Sequence, residues 1–300
     1  MNLPWGVLAV YAALGIWSVL LVLGLRRRAF GPFLVFGIVF LLVLNIRYFI
    51  EGAPAAISFF IGIYDVLDNL GVVASQGAAA LAPCPGNACT VWGDRYLIHP
   101  SWGVAFHDRF LNGPALRTGL LYAHLGLNSV VFVLMHIQLL RPGTGRHAVS
   151  HRLLGRVSFL CLTLGTVSAI WLASEHGPVG EYGGSLSTYG FWFMSLCVYG
   201  CAVMGVLAIR KGDTRSHRVW MIRFAGSMWG AFWLFRVMLF VGGPLLRNHE
   251  AANLLMCIWL SAPLGILIAE LFRRRLDQRS SAGHKPLDTR QVRAGAGVTR

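Results

Sequence analysis

Seven long apolar segments constrain this chain more than any other feature of its sequence. They cover residues 4–25, 32–50, 115–140, 153–174, 188–209, 219–242 and 252–272. A helix that crosses the hydrocarbon core of a bilayer needs about 20 mainly apolar residues, and these segments have that length. The chain is 56% hydrophobic and only 13% charged, which is more apolar surface than one water-soluble core could enclose. The sequence therefore predicts an all-α integral membrane protein, a bundle of seven transmembrane helices.

The positions of the basic residues predict the orientation of this bundle. Most of the 26 Lys and Arg residues lie at 26–28, 141–156, 210–223 and 273–300. Seven spans put these four regions on one side, and Lys and Arg accumulate on the cytoplasmic side of membranes. We therefore expect a multi-pass protein of a bacterial inner membrane, with its N-terminus outside and its C-terminus inside. The net charge of +14 then reflects topology and attraction to anionic lipid rather than binding to nucleic acid.

The predicted spans divide the chain into four regions. These are two N-terminal transmembrane helices (1–52), an extracytoplasmic cap with an interfacial helix between helices 2 and 3 (53–114), a five-helix functional bundle (115–272) and a disordered basic cytoplasmic tail (273–300). Cys84 and Cys89 lie in the predicted cap, on the side of the membrane where oxidation is permitted. A small disulfide loop between them is the leading interpretation, and two free thiols are the alternative.

Two short motifs that combine histidine with arginine stand where polar loops lead into apolar helices. They are HRLLGR, residues 151–156, and HRVWMIR, residues 217–223. Polar side chains bordering hydrocarbon cost free energy unless they meet a partner or water, which makes them candidates for function. A guanidinium matches the geometry of a phosphate or carboxylate. The candidate anion-binding residues are therefore the motif arginines and one arginine within the sixth span: Arg152, Arg156, Arg218, Arg223 and Arg236.

Four histidines are candidate ligands of a redox cofactor. His124 and His136 belong to the third span, whereas His151 and His217 lie at the entrances of the fourth and sixth. Two imidazoles can hold a haem iron only if different helices present them at the same depth. His124 and His136 are 12 residues apart, about 18 Å along the helix, and their directions differ by about 120°. One hypothesis is a haem b held by two of these histidines, with a quinone or another small molecule as electron donor.

Two other interpretations of the same residues stay open. Histidine and arginine are ordinary residues at membrane boundaries, where they bind head groups and neighbouring polar atoms. The two basic motifs could also form one cationic pocket on the cytoplasmic face for an anionic lipid or metabolite. No hydrolase or kinase motif occurs in the sequence, and no ring of acidic residues typical of a channel.

The order and spacing of the motifs resemble a known family. From about Tyr122 to Phe240 the chain is similar to a bacterial family of polytopic membrane proteins without assigned function, the domain of unknown function 2306. The shared pattern is an early membrane His, a Gln ending that helix, His-Arg-x-x-Gly-Arg, a Gly-Asp pair, His-Arg-x-Trp-Met-x-Arg and a late intramembrane Arg. Besides the histidines and arginines named above, the matching residues are Gln138, Gly155, Gly212, Asp213 and Trp220. The resemblance implies a topology and a residue pattern, but no substrate or reaction.

A looser similarity concerns the start of the fourth span. The residues from Ser150 to Gly155 are similar to the context of a haem ligand in di-haem cytochromes b of the ascorbate-reductase type. In those proteins four consecutive helices each supply one histidine. The fifth span here, residues 188–209, contains none. The pattern of one ligand per helix is therefore not reproduced, and the resemblance leaves open one haem held by some pair of His124, His136, His151 and His217.

Overall fold

Seven helical stretches of the described chain are long and apolar enough to cross a membrane. The computed structural model describes residues 5–27, 29–53, 114–140, 148–174, 185–246 and 250–283, together with short stretches between 55 and 97. The helices are α1 Trp5–Arg27, α2 Gly31–Ile50, α3 Ala115–Leu140, α4 Ala148–Ser174, α5 Ser185–Arg210, α6 Thr214–Trp229, α7 Phe235–Leu245 and α8 Glu250–Gly283. Two short strands, β1 Leu81–Pro83 and β2 Arg95–Leu97, pair antiparallel between α2 and α3. The predicted bundle of seven spans is confirmed, with α6 and α7 together forming the sixth.

The sixth span is not one regular helix. A π-helical turn, Gly230–Leu234, joins α6 to α7, and in it the Phe235 N–H donates to the Gly230 carbonyl five residues earlier. The inserted residue rotates the side chains that follow by about 100° relative to an uninterrupted α-helix. A helical wheel drawn through the whole span therefore misplaces the residues after the turn, including Arg236.

Glycines bring α6 and α8 into backbone contact. A Cβ added at Gly226 would lie 2.5 Å from the Gly265 carbonyl oxygen, and one added at Gly230 would meet the backbone of Ser261. Close helix contact at Gly226 and Gly230 follows the small-residue pattern of membrane helices. Gly200 in α5 does not share this role, because no described atom lies within 4 Å of a Cβ built there.

An aromatic cluster fastens the two N-terminal helices to the π-helical turn. Trp17 is completely buried, and its indole N–H donates to the Phe33 carbonyl at 3.0 Å. Its ring centroid lies 5.9 Å from that of Phe232 and 6.1 Å from that of Trp233. Aromatic pairs in such arrangements add roughly 0.5–1.5 kcal/mol beyond the burial of their area. The first two spans are therefore packed into the bundle.

The Gly-Asp pair makes the tight turn between α5 and α6. Gly212 has a φ of 76°, and the N–H groups of Gly212 and Asp213 donate to the carbonyls of Ile209 and Ala208 at 3.0 Å each. These bonds form a Schellman motif that ends α5. The Asp213 carboxylate then accepts the Ser216 N–H at 2.9 Å as the N-cap of α6. One dipeptide thus ends one span and begins the next.

We expect both residues of this turn to stabilise the protein. Gly212→Ala places a Cβ in the left-handed region and should cost about 1–2 kcal/mol of unfolding free energy at any pH. Asp213→Ala should lower the melting temperature only while the carboxylate is ionised. Hydrogen bonds from Ser216 hold the pKa of Asp213 below its ordinary value. Its stabilisation is therefore full above the pKa of the unfolded chain and is lost as the pH falls through the lower folded value.

Thermal unfolding in detergent as a function of pH tests this pair of variants. The difference between Asp213→Ala and the parent protein should shrink as the pH falls below about 4, whereas the Gly212→Ala difference should persist. An Asp213→Ala effect that did not depend on pH would contradict the capping role.

The last helix is longer than the sequence suggests. α8 continues to Gly283, so the boundary expected at residue 273 lies within the helix. The cause is an acidic residue one turn earlier, Glu270, which binds Arg273 and Arg274 and so supports the helix at i+3 and i+4. The remainder of the predicted tail lies outside the described residues, as do Cys84 and Cys89 of the predicted cap.

Candidate functional site

The two basic-histidine motifs lie at the same end of the bundle. His151 lies in the first turn of α4 and His217 in the first turn of α6, and both side chains are half-buried. They are close enough for the charge on one to affect the other. Phe272 of α8 contacts Phe30, which precedes α2, so the ends of α1 and α8 are here as well. We call this the basic end, the end that carries Arg27, His151, His217 and Arg273.

The helices that carry the two histidines are not neighbours along the bundle wall. α4 packs mainly against α3 and α5, whereas α6 packs mainly against α5 and α8. His151 and His217 therefore belong to two spans that both pack against α5. In a helical bundle, side chains from facing helices are the ones that can hold a group between them.

His217 has a defined orientation. Its Nδ1 lies 2.9 Å from the Gly205 carbonyl oxygen on α5. Because a carbonyl oxygen only accepts hydrogen bonds, Nδ1 carries the proton and the neutral ring keeps a lone pair on Nε2. Gly205 allows this approach, since a Cβ there would lie 2.8 Å from the Met221 sulfur. An imidazole that donates one nitrogen to a backbone carbonyl has the form that ligates a metal with the other.

His151 is held in place by the Gln and Gly of the motif pattern. The Gln138 side-chain nitrogen donates to the His151 carbonyl oxygen at 3.2 Å. A Cβ at Gly155 would lie 3.3 Å from that same nitrogen. The end of α3 and the first turn of α4 are thereby joined. Gln138 and Gly155 act as positioning residues for the turn that carries His151.

His124 lies elsewhere, in the middle of the contact between α3 and α4. Its Nδ1 is 3.3 Å from the Gly165 carbonyl oxygen and 3.0 Å from the Asn128 side-chain nitrogen. A Cβ at Gly165 would lie 3.1 Å from the Asn128 side-chain oxygen. This polar contact is ten residues from the Gln138 contact along each helix. The structure therefore does not bring His124 together with the histidines of the basic end.

His136 is fully buried, and both of its ring nitrogens are engaged. Nδ1 donates to the Phe132 carbonyl at 2.6 Å, and Nε2 accepts the Trp229 indole N–H at 3.2 Å. To bind iron, this imidazole would have to give up its bond to Trp229. Of the four candidate histidines, His136 has the arrangement least suited to a ligand. It joins α3 to α6 immediately before the π-helical turn.

The candidate anion-binding arginines differ in their partners. Arg223 places Nε 3.3 Å from the Glu270 carboxylate, and its guanidinium lies 4.6 Å from the Trp220 ring centroid. Glu270 also binds Arg273 at 2.6 Å and Arg274 at 3.0 Å. Arg223 is thus paired with an acid that the sequence reasoning did not single out. The sequence does contain a pattern that indicates Glu270, because it is an acid in an apolar segment and is followed by arginines at i+3 and i+4.

Three other motif arginines are exposed at the basic end. Arg152 donates from Nε to the Ala148 carbonyl of its own helix at 3.3 Å. Arg156 and Arg218 are exposed in the same way. Their charges therefore lie on the surface of the basic end. Among the candidate anion-binding arginines of this end, these three are exposed, whereas Arg223 is paired with Glu270.

Arg236 lies towards the opposite end. Its NH1 donates to the Phe232 carbonyl at 2.7 Å, and the guanidinium lies 4.0 Å above the centre of the Phe232 ring. Tyr48, in the last turn of α2, is close enough to interact with its charge. Arg223 and Arg236, 13 residues apart, therefore reach opposite ends of the bundle.

A comparison with protein-family models identifies the core of this arrangement. Residues 121–272, about half of the chain, match the family described as Predicted membrane protein (DUF2306). The chain belongs to this family. The match runs from α3 into α8, so the family region includes both basic motifs, the π-helical turn and Glu270, whereas α1 and α2 precede it. Comparisons with curated proteins and with solved structures gave no match.

Proposed function

We propose that this protein binds one haem b between His151 and His217 and transfers electrons within or across the membrane. The observation that supports the proposal is the orientation of His217, whose Nδ1–H donates to the Gly205 carbonyl oxygen, at the end of the bundle that also carries the half-buried His151. That bond leaves Nε2 of His217 as the ligating atom. Gln138 holds the first turn of α4, which carries His151, through its bond to the His151 carbonyl oxygen.

The donor set suits haem better than a bare metal ion. A haem iron needs only two axial ligands from the protein, because the porphyrin supplies the others. Within the described ranges, no three His, Cys, Asp or Glu side chains form a group able to hold a metal ion. When bound, the haem would supply one-electron chemistry. The chain itself would orient the two imidazoles and surround the macrocycle with apolar side chains of the bundle.

We further propose that the basic end faces the cytoplasm of a bacterial inner membrane. The concentration of Lys and Arg at this end supports that orientation. Residues 53–114 would then form an extracytoplasmic cap in which Cys84 and Cys89 could be oxidised to a disulfide. A haem at the basic end would exchange electrons with a quinone or another small-molecule donor near the cytoplasmic surface.

A second candidate function uses the same end without redox chemistry. Arg152, Arg156 and Arg218 are exposed at the basic end, which also carries the half-buried His151 and His217. This cluster suits the phosphate or carboxylate of an anionic lipid or metabolite. Because Arg223 is paired with Glu270, we do not include it among the ligand-binding cations.

The absorption spectrum of the full chain tests the haem proposal. Protein expressed with haem precursor and purified in detergent should show b-type bands that sharpen on reduction with dithionite. His151→Ala and His217→Ala should each lower the bound haem at least about tenfold, because each removes an axial ligand. His124→Ala is the matched control, since it changes a histidine of the same bundle that lies away from the pair. That variant should keep the spectrum.

A featureless spectrum from folded parent protein would overturn the haem proposal, as would a chromophore that survives both His151→Ala and His217→Ala. Co-sedimentation with vesicles then decides the second candidate. Preference for phosphatidylglycerol over phosphatidylcholine that is lost in the triple variant Arg152→Ala, Arg156→Ala, Arg218→Ala would support an anionic ligand at the basic end.

A further inference from the structure

One cation of the membrane-embedded region has no acidic partner in the described structure. Arg236 begins the second turn beyond Gly230, within the sixth span. The Arg236 side chain is half-buried and keeps accessible surface. The ion pairs of the described residues involve Arg47, Arg223 and the arginines near Glu270, and none includes Arg236. A guanidinium within a bilayer is costly unless an anion or water meets it.

The contacts that Arg236 makes do not neutralise it. One N–H group donates to the Phe232 carbonyl, and the planar face lies over the Phe232 ring. These contacts fix the direction of the guanidinium and leave its other N–H groups without a partner among the described residues. The fully enclosed side-chain atoms that lack a partner there are Trp233 Nε1 and Ser261 Oγ. The remaining N–H groups of Arg236 therefore face open space.

Tyr48 contributes a second polar group to the same space. Its side chain is only 6% exposed, and its phenol is close enough to interact electrostatically with Arg236. The hydroxyl has no hydrogen-bond partner in the described part of the chain, and it is not one of the fully enclosed unpaired atoms. A phenol and a guanidinium that lie close together and both face open space can bind one acceptor jointly.

The surroundings of this space are apolar and close to a membrane boundary. The Phe232 ring packs 6.3 Å from Phe40 and 5.4 Å from Phe132, measured between ring centroids. Tyr48 stands one residue after Arg47, which forms an exposed ion pair with Glu51 at the end of α2. A group bound here would have its polar part at the boundary and its apolar part against aromatic rings and lipid.

We propose that Arg236 and Tyr48 bind the oxyanion head group of an amphiphile, either the carboxylate of a fatty acid or the phosphate of a lysophosphatidate. The Arg236 fork donates to the oxyanion and neutralises it, and the Tyr48 hydroxyl donates a further hydrogen bond. The acyl chain extends along the bundle into the bilayer. This site is at the opposite end from His151 and His217 and does not depend on haem.

Binding of a spin-labelled stearate to the full chain in phosphatidylcholine nanodiscs tests the proposal. The immobilised fraction of 16-doxylstearate, measured by electron paramagnetic resonance, reports occupancy. Arg236→Gln should weaken binding about tenfold or more, since it removes a charge-assisted pair, and Tyr48→Phe should weaken it about threefold. Arg47→Gln is the matched control, because it removes the same charge at the same boundary from a side chain already paired with Glu51.

Competition identifies the head group. Unlabelled stearate or lysophosphatidate should displace the label, and the stronger competitor is the preferred source of the oxyanion. Monostearin, which carries the same chain without charge, should not. Arg236→Lys keeps the charge but loses the fork, so it should bind with intermediate affinity and remain informative if Arg236→Gln fails to fold. Three results would overturn the proposal. They are equal stearate binding by folded Arg236→Gln and the parent protein, a loss of stearate binding in Arg47→Gln as large as that in Arg236→Gln, and displacement of the label by monostearin.

Discussion

Replacing Gly265 with leucine should abolish the folded protein. A Cβ at this position would run into the Gly226 carbonyl oxygen and would lie 2.8 Å from the Gly230 Cα. Both obstacles are backbone, which cannot rotate away as a side chain can. α6 and α8 would have to separate along their whole contact, and we expect a loss of about 3 kcal/mol or more, at the upper end of overpacking effects. Monodisperse yield on size exclusion and thermal unfolding in detergent measure this.

A matched substitution shows whether the loss of stability comes from the contact between α6 and α8 or simply from placing a larger residue in a membrane helix. Gly200→Leu makes the same change in α5, where no described atom lies within 4 Å of the added Cβ. That variant should be purified in near-parental yield and melt near the parent temperature. Gly265→Ala should be intermediate, because it adds only the clashing Cβ. If Gly265→Leu and Gly200→Leu behaved alike, the backbone contact between α6 and α8 would be disproved.

The hydrogen bond between His136 and Trp229 should be worth about 1–3 kcal/mol in a double-mutant cycle. His136→Phe fills a similar volume but leaves the Trp229 N–H unpaired inside the bundle, and Trp229→Phe leaves His136 Nε2 unpaired. Each single change should therefore destabilise by about 1–3 kcal/mol. The double variant should lose less than the sum, because both polar atoms are then gone. Thermal unfolding of the four proteins provides the cycle.

The same variants test what His136 is for. Because its imidazole is committed to Phe132 and Trp229, His136→Phe should retain the haem spectrum proposed for the basic end. Additive destabilisation would show that the hydrogen bond contributes nothing. Loss of the chromophore from a folded His136→Phe protein would instead restore His136 as a ligand.

The spans could be read from the sequence because hydrophobic length is a property of contiguous residues. Each predicted segment became a helix, and the Gly212–Asp213 turn lies where the motif breaks the apolar pattern. The continuation of α8 beyond residue 272 was missed because its support is a pairing across the predicted boundary, between Glu270 of the span and Arg273 and Arg274 of the predicted tail. Local signals therefore predict the elements well and their ends less well.

The site depends on contacts that no local pattern contains. The sequence names His151 and His217, but their partners, such as the Gly205 carbonyl for His217, depend on which spans pack together. Gly200 and Gly226 are both glycines of apolar segments, but of these two only Gly226 lies against a neighbouring backbone. The π-helical turn has no evident local signature either, and it changes the direction of Arg236. Composition and spacing thus predicted which residues are candidates for the site, whereas the packing of the helices determines which groups those residues contact.

The Trp17 contacts bear on how the protein enters its membrane. The indole N–H is already bonded to Phe33, so the hairpin of α1 and α2 can leave the translocation machinery with that donor satisfied. The aromatic surface around Trp17 finds its partners, Phe232 and Trp233, only when the sixth span is made. The hairpin of α1 and α2 can therefore be stable in lipid before the sixth span is synthesised. Once that span is inserted, its π-helical turn packs against Trp17 and joins the hairpin to the rest of the bundle.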